Sequence, residues 1–97
     1  MDKRIKLNTL YDYYKELFTE KQQEYFEDYY YSNYSLGEIA EDNNVSRNAV
    51  HNQLKIVEEK LEEFEKKLEL VSKKEKVIGL LEKEISNDLL EQIKEIL

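Results

Sequence analysis

The side chains best suited to specific chemistry in this sequence lie close together, between residues 46 and 55. They recur three and four residues apart, which would place them on one face of a helix. Arginine and lysine bind phosphate or guanine, and asparagine or glutamine suits adenine edges. The pattern therefore points to recognition by hydrogen bonding, with Gln53 as a further adenine-type contact. The candidate nucleic-acid-binding residues are Ser46, Arg47, Asn48, His51, Asn52 and Lys55.

The sequence gives little support for a catalytic site or a metal site. The chain has a single histidine, His51, and no cysteine, so one chain cannot form a Cys–His pair or a site with several histidines. No glycine-rich phosphate loop is present, and Ser35 and Ser46 are explained as helix caps. We therefore predict a protein that is not an enzyme and that has no cofactor and no metal site.

The composition also indicates the cellular compartment in which the chain is expected. The absence of cysteine fits a cytoplasmic protein. No apolar run is long enough to cross a bilayer, and no signal-peptide core follows the first residue. We expect a cytoplasmic chain without membrane insertion.

The stretch 35–54, SLGEIAEDNNVSRNAVHNQL, is predicted to carry the candidate residues on the second helix of a helix-turn-helix. Ser35 and Glu38 form a capping box at the first helix, and Ser46 caps the second. Asn44 tolerates the left-handed conformation of a tight turn. An ordinary helical hairpin without a ligand is the alternative. The inner side of the motif is expected to hold Ala40, Val45, Val50 and Leu54.

Two helices are predicted before this motif. Thr19, with Gln22 three residues later, starts the second of them. Of the run 29–31, three consecutive tyrosines, at least one ring must stay exposed; it could stack on a base or lie at the edge of the core. The apolar stripe of the first helix is Leu7, Leu10, Tyr11, Tyr14, Leu17 and Phe18.

Three basic residues near the start of the chain, Lys3, Arg4 and Lys6, admit two interpretations. They could form an arm that reaches phosphates or a minor groove. A solvated terminus is the favoured interpretation.

The second helix of the motif is predicted to continue to about Val71, because its apolar residues follow a heptad spacing. Such a stripe looks too long for one small core, so we expect a homodimer that buries it; cover by residues 5–18 or 77–97 of the same chain is the alternative. The predicted dimer interface is Leu54, Val57, Leu61, Phe64, Leu68 and Val71.

The predicted fold class is an all-α bundle built on a helix-turn-helix, with a long helix and a short helical tail. No strand-like alternation is visible. Residues 1–71 would form the helix-turn-helix domain. Residues 72–97 would form a tail of two short helices with a break and cap at 86–88.

The charge balance speaks against a simple polyanion binder. The net charge is −7, and residues 19–55 alone carry three basic and seven acidic groups, a balance of −4. Phosphate neutralisation supplies most non-specific affinity for DNA. Such affinity requires that the acidic groups face away from the groove.

The order of these features resembles region four of bacterial sigma factors. Within that class the chain resembles the YlxM family of small helix-turn-helix proteins, through LFTEKQQEYFEDYY, YSLGEIAEDNNVSR and EKLEEFEKKL. The resemblance implies a regulatory or accessory protein linked to the bacterial signal recognition particle, with the particle's RNA or protein, or DNA, as partner.

Two functions remain open from the sequence. One is a DNA-binding regulator that reads nucleic acid with the second helix of the motif. The other is a protein-binding adaptor of the signal recognition particle machinery that uses the helix-turn-helix only as a scaffold. The polar exposed face favours the first function, and the acidic balance favours the second.

Overall fold

The fold consists of helices joined by short turns. The computed structural model describes residues 2–97, which contain six α-helices, one turn of 3-10 helix and no strand. The helices are α1 (Lys3–Tyr14), α2 (Glu20–Tyr30), α3 (Leu36–Asn43), α4 (Arg47–Leu68), α5 (Leu70–Leu81) and α6 (Asn87–Ile96), and the 3-10 turn (Lys15–Leu17) follows α1. The prediction of an all-α helix-turn-helix bundle is confirmed. Within the described residues, no helix has the length and apolarity that spanning a membrane requires.

Four helices begin after a Thr or Ser whose hydroxyl accepts a hydrogen bond from a backbone N–H of the first turn, which has no partner within the helix. The hydroxyls of Thr19 and Ser35 each accept a hydrogen bond from the backbone N–H three residues on. The side chains of Gln22 and Glu38 in turn accept a hydrogen bond from the backbone N–H of the cap residue. Ser46 accepts from the Ala49 N–H at 3.0 Å. Each cap contributes on the order of 1 kcal/mol. The predicted caps of α2, α3 and α4 are therefore confirmed, and a fourth hydroxyl cap, Ser86, begins α6 as expected.

The turn between α3 and α4 is made by the backbone. Asn44 has a φ of 53°, in the left-handed region, as predicted. The N–H of Val45 then donates to the Ala40 carbonyl at 3.0 Å. The expectation that the Val45 side chain plugs the turn is wrong, because that side chain is 41% exposed. Ala40 is buried and lets the two helices approach closely.

Helix α4 is the centre of the core, and α1, α2 and α3 all pack against it. Val50, Leu54, Val57 and Leu61 form its buried stripe. Burying a side chain of this size is worth about 1.5–3 kcal/mol. The remaining core residues come from the other helices and the segment after α1: Leu7, Leu10, Tyr11, Tyr14, Phe18, Tyr25, Phe26, Ile39, Ala40 and Val71. Leu17, expected among them, is 59% exposed because it lies in the 3-10 turn.

The α4 seam does not need a second subunit for cover. Leu54, Val57, Leu61 and Val71 are buried inside this chain, and Phe64 packs against the core. The premise that one chain could not cover the stripe is wrong, because α1 lies along α4 and supplies the cover. Of the six predicted interface residues, Leu68 is the one classed as exposed.

The predicted single helix from 47 to 71 is interrupted at Glu69. This residue has a φ of 54° and ends α4, and α5 begins at the next residue. Val71 therefore belongs to α5, where it faces the core. The predicted division of the chain at residue 71 lies within α5, and it stays a prediction.

The joint between α4 and α5 is held by one carboxylate. Glu65 accepts bonds from the backbone N–H groups of Val71 at 3.1 Å and Ser72 at 3.0 Å, and so caps the start of α5. The Tyr14 hydroxyl donates to Glu65 at 2.6 Å and accepts from the Leu70 N–H at 3.3 Å. A side chain of α1 is thus part of the joint, and it fixes the direction in which α5 leaves α4.

Candidate nucleic-acid interface

All six predicted contact residues lie together at the start of α4. Ser46, Arg47, Asn48, His51, Asn52 and Lys55 are exposed. Apart from Ser46, which caps the helix, their side chains make no hydrogen bond or ion pair with any part of residues 2–97. The face is therefore free to bind an external partner.

Gln53 does not belong to this free face. It is half-buried, and its carbonyl oxygen accepts a bond from the Gln22 side chain of α2 at 3.4 Å. The helical spacing brings Gln53 close to the others in sequence but turns it towards α2. Its predicted role as an adenine contact is the weakest of the set.

The local charge differs from that of the whole chain. Residues 46–57 contain Arg47 and Lys55 and no acidic residue, and the first acid of α4 is Glu58. The N-terminus of a helix also carries a partial positive charge from its aligned peptide groups. The exposed start of α4 is therefore electropositive in a chain whose net charge is −7.

Acidic residues are exposed on α3, the helix that precedes this face and packs against α4. Glu38, Glu41 and Asp42 are exposed on α3, and Glu38 is engaged in the capping box. Next to them, burial and then the charges of Glu24, Asp42 and Glu27 raise the pKa of Asp28 above its usual value. After burial, the charges of Asp42 on α3 and of Glu24 and Glu27 on α2 act on this one carboxyl, and an acidic cluster of this kind would repel a phosphate backbone.

The basic residues of α1 do not form a free arm. Lys3 pairs with Glu58 at 3.3 Å and Lys6 with Glu62 at 3.1 Å, and all four belong to α1 or α4. The Arg4 guanidinium donates to the Tyr29 carbonyl at 3.1 Å and lies 5.2 Å from the centre of the Tyr30 ring. These side chains join α1 to the rest of the bundle. Neither interpretation of the sequence, arm or solvated terminus, anticipated these pairs.

Two tyrosine rings remain exposed beside the motif. The Tyr31 hydroxyl donates to Asp12 at 3.2 Å, and burial with the nearby Asp12 charge raises the pKa of Tyr31 to about 12. Tyr34 lies just before the Ser35 cap, and its ring is exposed. Of the two, Tyr34 is the better placed to contact a partner of the motif.

Comparison with known proteins bears out the resemblance. A family model described as "UPF0122: Putative helix-turn-helix protein, YlxM / p13 like" matches residues 1–96. UPF0122 protein BH2485 of Halalkalibacterium halodurans is 44% identical over 95 residues, which cover 98% of this chain and 79% of that protein.

Other relatives match about two thirds of the chain. UPF0122 protein lin1916 of Listeria innocua is 49% identical over 61 residues, 63% of this chain and 56% of its own length. UPF0122 protein OB1530 of Oceanobacillus iheyensis is 51% identical over 62 residues, 64% of this chain and 59% of its own length. The match thus covers somewhat more than half of these two relatives. The match over residues 1–96 and the identity to the Halalkalibacterium protein show that this chain belongs to the UPF0122 family of YlxM/p13-like helix-turn-helix proteins.

Proposed function

We propose that this chain is a nucleic-acid-binding regulator that uses the exposed start of α4 as its recognition helix. One observation carries the proposal: five polar or basic side chains without intramolecular partners lie on the acid-free first three turns of α4. In helix-turn-helix proteins the second helix enters the major groove with its N-terminal residues on the bases.

The residues of this face would make different kinds of contact with the nucleic acid. Arg47 and Lys55 would bind phosphate or guanine, and Asn48 and Asn52 would bind adenine edges. With two phosphate-binding cations, the slope of log K against log salt should be about −2. Non-specific affinity should therefore be low, and base contacts must supply most of the selectivity.

The link to the signal recognition particle is part of the proposal and rests on the YlxM resemblance. The particle's RNA is then a candidate ligand beside duplex DNA, and the cytoplasm is the proposed place of action. The adaptor function is the second candidate. The crowded carboxylates around Asp28 and Asp42 favour it, because an acidic surface beside the motif suits a basic protein better than a phosphate backbone.

Fluorescence anisotropy tests the first function directly. Wild-type protein would be titrated into random duplex DNA and into signal recognition particle RNA over a series of salt concentrations. Arg47→Ala should weaken binding by on the order of tenfold and bring the salt slope about one unit closer to zero. Lys60→Ala is the matched control, because Lys60 is an exposed cation on the distal half of α4.

Two outcomes would contradict the nucleic-acid function. One is equal loss of affinity in the Arg47 and Lys60 variants, which would mean that binding does not use this face. The other is no binding to any duplex or to the particle's RNA at low salt, together with tight binding to a protein of the particle. That second result would establish the adaptor function.

A further inference from the structure

The exposed apolar side chains of this chain gather at its C-terminal end. Of the thirteen large hydrophobic residues that are exposed in residues 2–97, seven lie between 68 and 97. Leu80 is 78% exposed and Ile96 is 83% exposed, the largest fractions in the set. The other five are Leu68, Leu70, Val77, Leu89 and Leu97. Single exposed leucines need no explanation, but a concentration of this kind marks an interaction surface.

These residues form one stripe on each helix of the α5–α6 hairpin. On α5, Leu70 and Val77 are seven residues apart, and Leu80 lies one turn further. On α6, Leu89 and Ile96 are also seven residues apart. Both spacings correspond to about 10.5 Å along a helix axis. The stripes of the two helices therefore match in period.

Both stripes are only partly used inside the chain, and Leu80 and Ile96 are the residues left almost free. Helix α6 packs mainly on α5, and Leu90 is its one buried residue. Helix α5 turns Val71 towards the core, whereas Leu80 lies in solvent. Leu70 and Val77 border a shallow groove with Tyr13 of α1 and Leu97, and they remain partly exposed. The hairpin thus has one covered face and one uncovered face.

The charges beside the two stripes have opposite signs. Helix α5 carries Lys73, Lys74 and Lys76 against Glu75, a balance of +2. Helix α6 carries Asp88, Glu91 and Glu95 against Lys94, a balance of −2. Lys73 and Lys76 lie beside Val77 and Leu80, and Asp88 and Glu95 lie beside Leu89 and Ile96. Within residues 2–97, the one ion pair among these eight groups is Lys94–Glu91, inside α6.

We propose that the uncovered face of the α5–α6 hairpin binds a second copy of this chain. In a two-fold dimer, α5 of one protomer would lie against α6 of its partner, so that each basic stripe meets an acidic one. A two-fold interface uses the same patch twice, and the patch must therefore be self-complementary. A patch that carries both signs in separate stripes has this property, whereas a purely acidic or purely basic partner would meet repulsion on one helix.

The assembly would be a four-helix bundle made of two hairpins. A face two short helices wide is at the small end of stable interfaces, which bury about 800 Å² per partner, so we expect a reversible dimer. From Lys55, the last residue of the candidate nucleic-acid interface, α4 runs 13 residues further to Leu68, about 20 Å of helix, before this hairpin begins. The dimer proposal therefore does not depend on the proposed function.

Light scattering over a concentration series tests the proposal. Wild-type protein should show twice the 11.7 kDa mass of the chain at tens of micromolar. The variant with Leu80→Glu and Ile96→Glu should be a monomer at the same concentration. Leu17→Glu is the matched control, since Leu17 is exposed but lies in the 3-10 turn, and it should remain a dimer. Circular dichroism would verify that both variants are folded.

A charge exchange separates self-association from any other use of the face. Lys73→Glu with Lys76→Glu should abolish the dimer, because acids would then face the acids of the partner's α6. Asp88→Lys with Glu95→Lys should also abolish the dimer, because a basic α6 would then face the basic α5 of the partner. Mixing the two variants should restore a dimer of one copy of each.

Three results would overturn the proposal. They are a monomeric wild type at about 100 µM, a dimer that survives Leu80→Glu with Ile96→Glu, and failure of the two charge variants to associate when mixed. A wild-type monomer that binds a different protein through this face would also overturn it.

Discussion

The α4–α5 joint yields the sharpest stability prediction, because a single carboxylate completes three hydrogen bonds there. Glu65→Ala would leave the N–H groups of Val71 and Ser72 without their cap, which costs about 0.5–2 kcal/mol. It would also leave the Tyr14 hydroxyl without its acceptor, at about 1–3 kcal/mol. The site is part-buried, so water can replace some of the lost hydrogen bonds. We therefore expect Glu65→Ala to lower the free energy of unfolding by about 2–3 kcal/mol in total.

Urea unfolding followed by circular dichroism at neutral pH would measure this change. In a thermal scan of the same proteins, the melting temperature should fall by roughly 10–20 °C for a chain of this size. Glu63→Ala is the matched control, since Glu63 pairs with Lys67 on the solvent side of the same helix, and it should stay close to wild type. Tyr14→Phe completes a double-mutant cycle with Glu65→Ala, and the coupling should be about 1 kcal/mol or more.

The stabilisation should depend on pH in a defined direction. Burial opposes the charge on Glu65, but the bonds from Tyr14, Ser72 and Val71 outweigh it and lower the pKa of this carboxyl. A lowered pKa in the folded state stabilises the protein above the usual glutamate range and ceases to do so as the pH falls through the folded value. The difference between wild type and Glu65→Ala should therefore shrink in acid. A coupling below about 0.5 kcal/mol, or a difference that grows in acid, would refute the role of Glu65.

The remaining predictions concern the motif, the α4 seam and alkaline pH. Ala40→Leu should overpack the contact between α3 and α4 and cost about 1–3 kcal/mol in urea unfolding, whereas Glu41→Leu on the exposed side should not. Phe64→Glu should unfold the chain more easily rather than separate intact protomers, because the Phe64 ring lies 5.9 Å from that of Tyr14; an unchanged melting temperature with a halved mass would contradict this. Burial and the bond to Glu65 raise the pKa of Tyr14 to about 12. The contribution of this hydroxyl to folding stability should therefore be present below about pH 10 and lost as the pH rises through 12. Melting curves of wild type and Tyr14→Phe over this pH range would measure the loss.

Helix starts were predictable from the sequence because capping is local. Thr19, Ser35, Ser46 and Ser86 each meet their backbone partner three residues on, so no knowledge of the rest of the fold is needed. The left-handed Asn44 was predictable for the same reason. The exposure of Val45 was not predictable, because which side of a turn faces the core depends on the packing of α2 and α4 around it.

The end of α4 was not predictable, because nothing in the local sequence forbids the helix to continue. Glu69 is not glycine, and the residues around it suit a helix. The break follows from Tyr14 of α1 and Glu65 of α4, which meet the free N–H groups of α5. The partners in this interaction are as far apart as residues 14 and 70. Contacts at that separation leave no periodic signal in the sequence.

Heptad spacing on α4 showed which residues share a face but not what covers that face. The stripe of Leu54, Val57 and Leu61 lies under α1 of the same chain, so it is core. The stripes of α5 and α6 have the same seven-residue period and no such cover. A periodic stripe therefore argues for an interface only after the other helices of the chain have been placed, and this condition moves the expected contact from α4 to the hairpin.

The same reasoning applies to charge. Although the net charge is −7, surface charges are screened within about 8 Å at physiological salt. Glu62 lies seven residues beyond Lys55, about 10.5 Å along α4, and it is paired with Lys6. Glu62 thus has little effect on the recognition face, whereas Asp42 of α3 lies five residues before Arg47, across the tight turn at Asn44. Affinity for nucleic acid should therefore respond strongly to Asp42→Asn and weakly to Glu62→Gln. Equal responses would mean that net charge, and not its placement, controls binding.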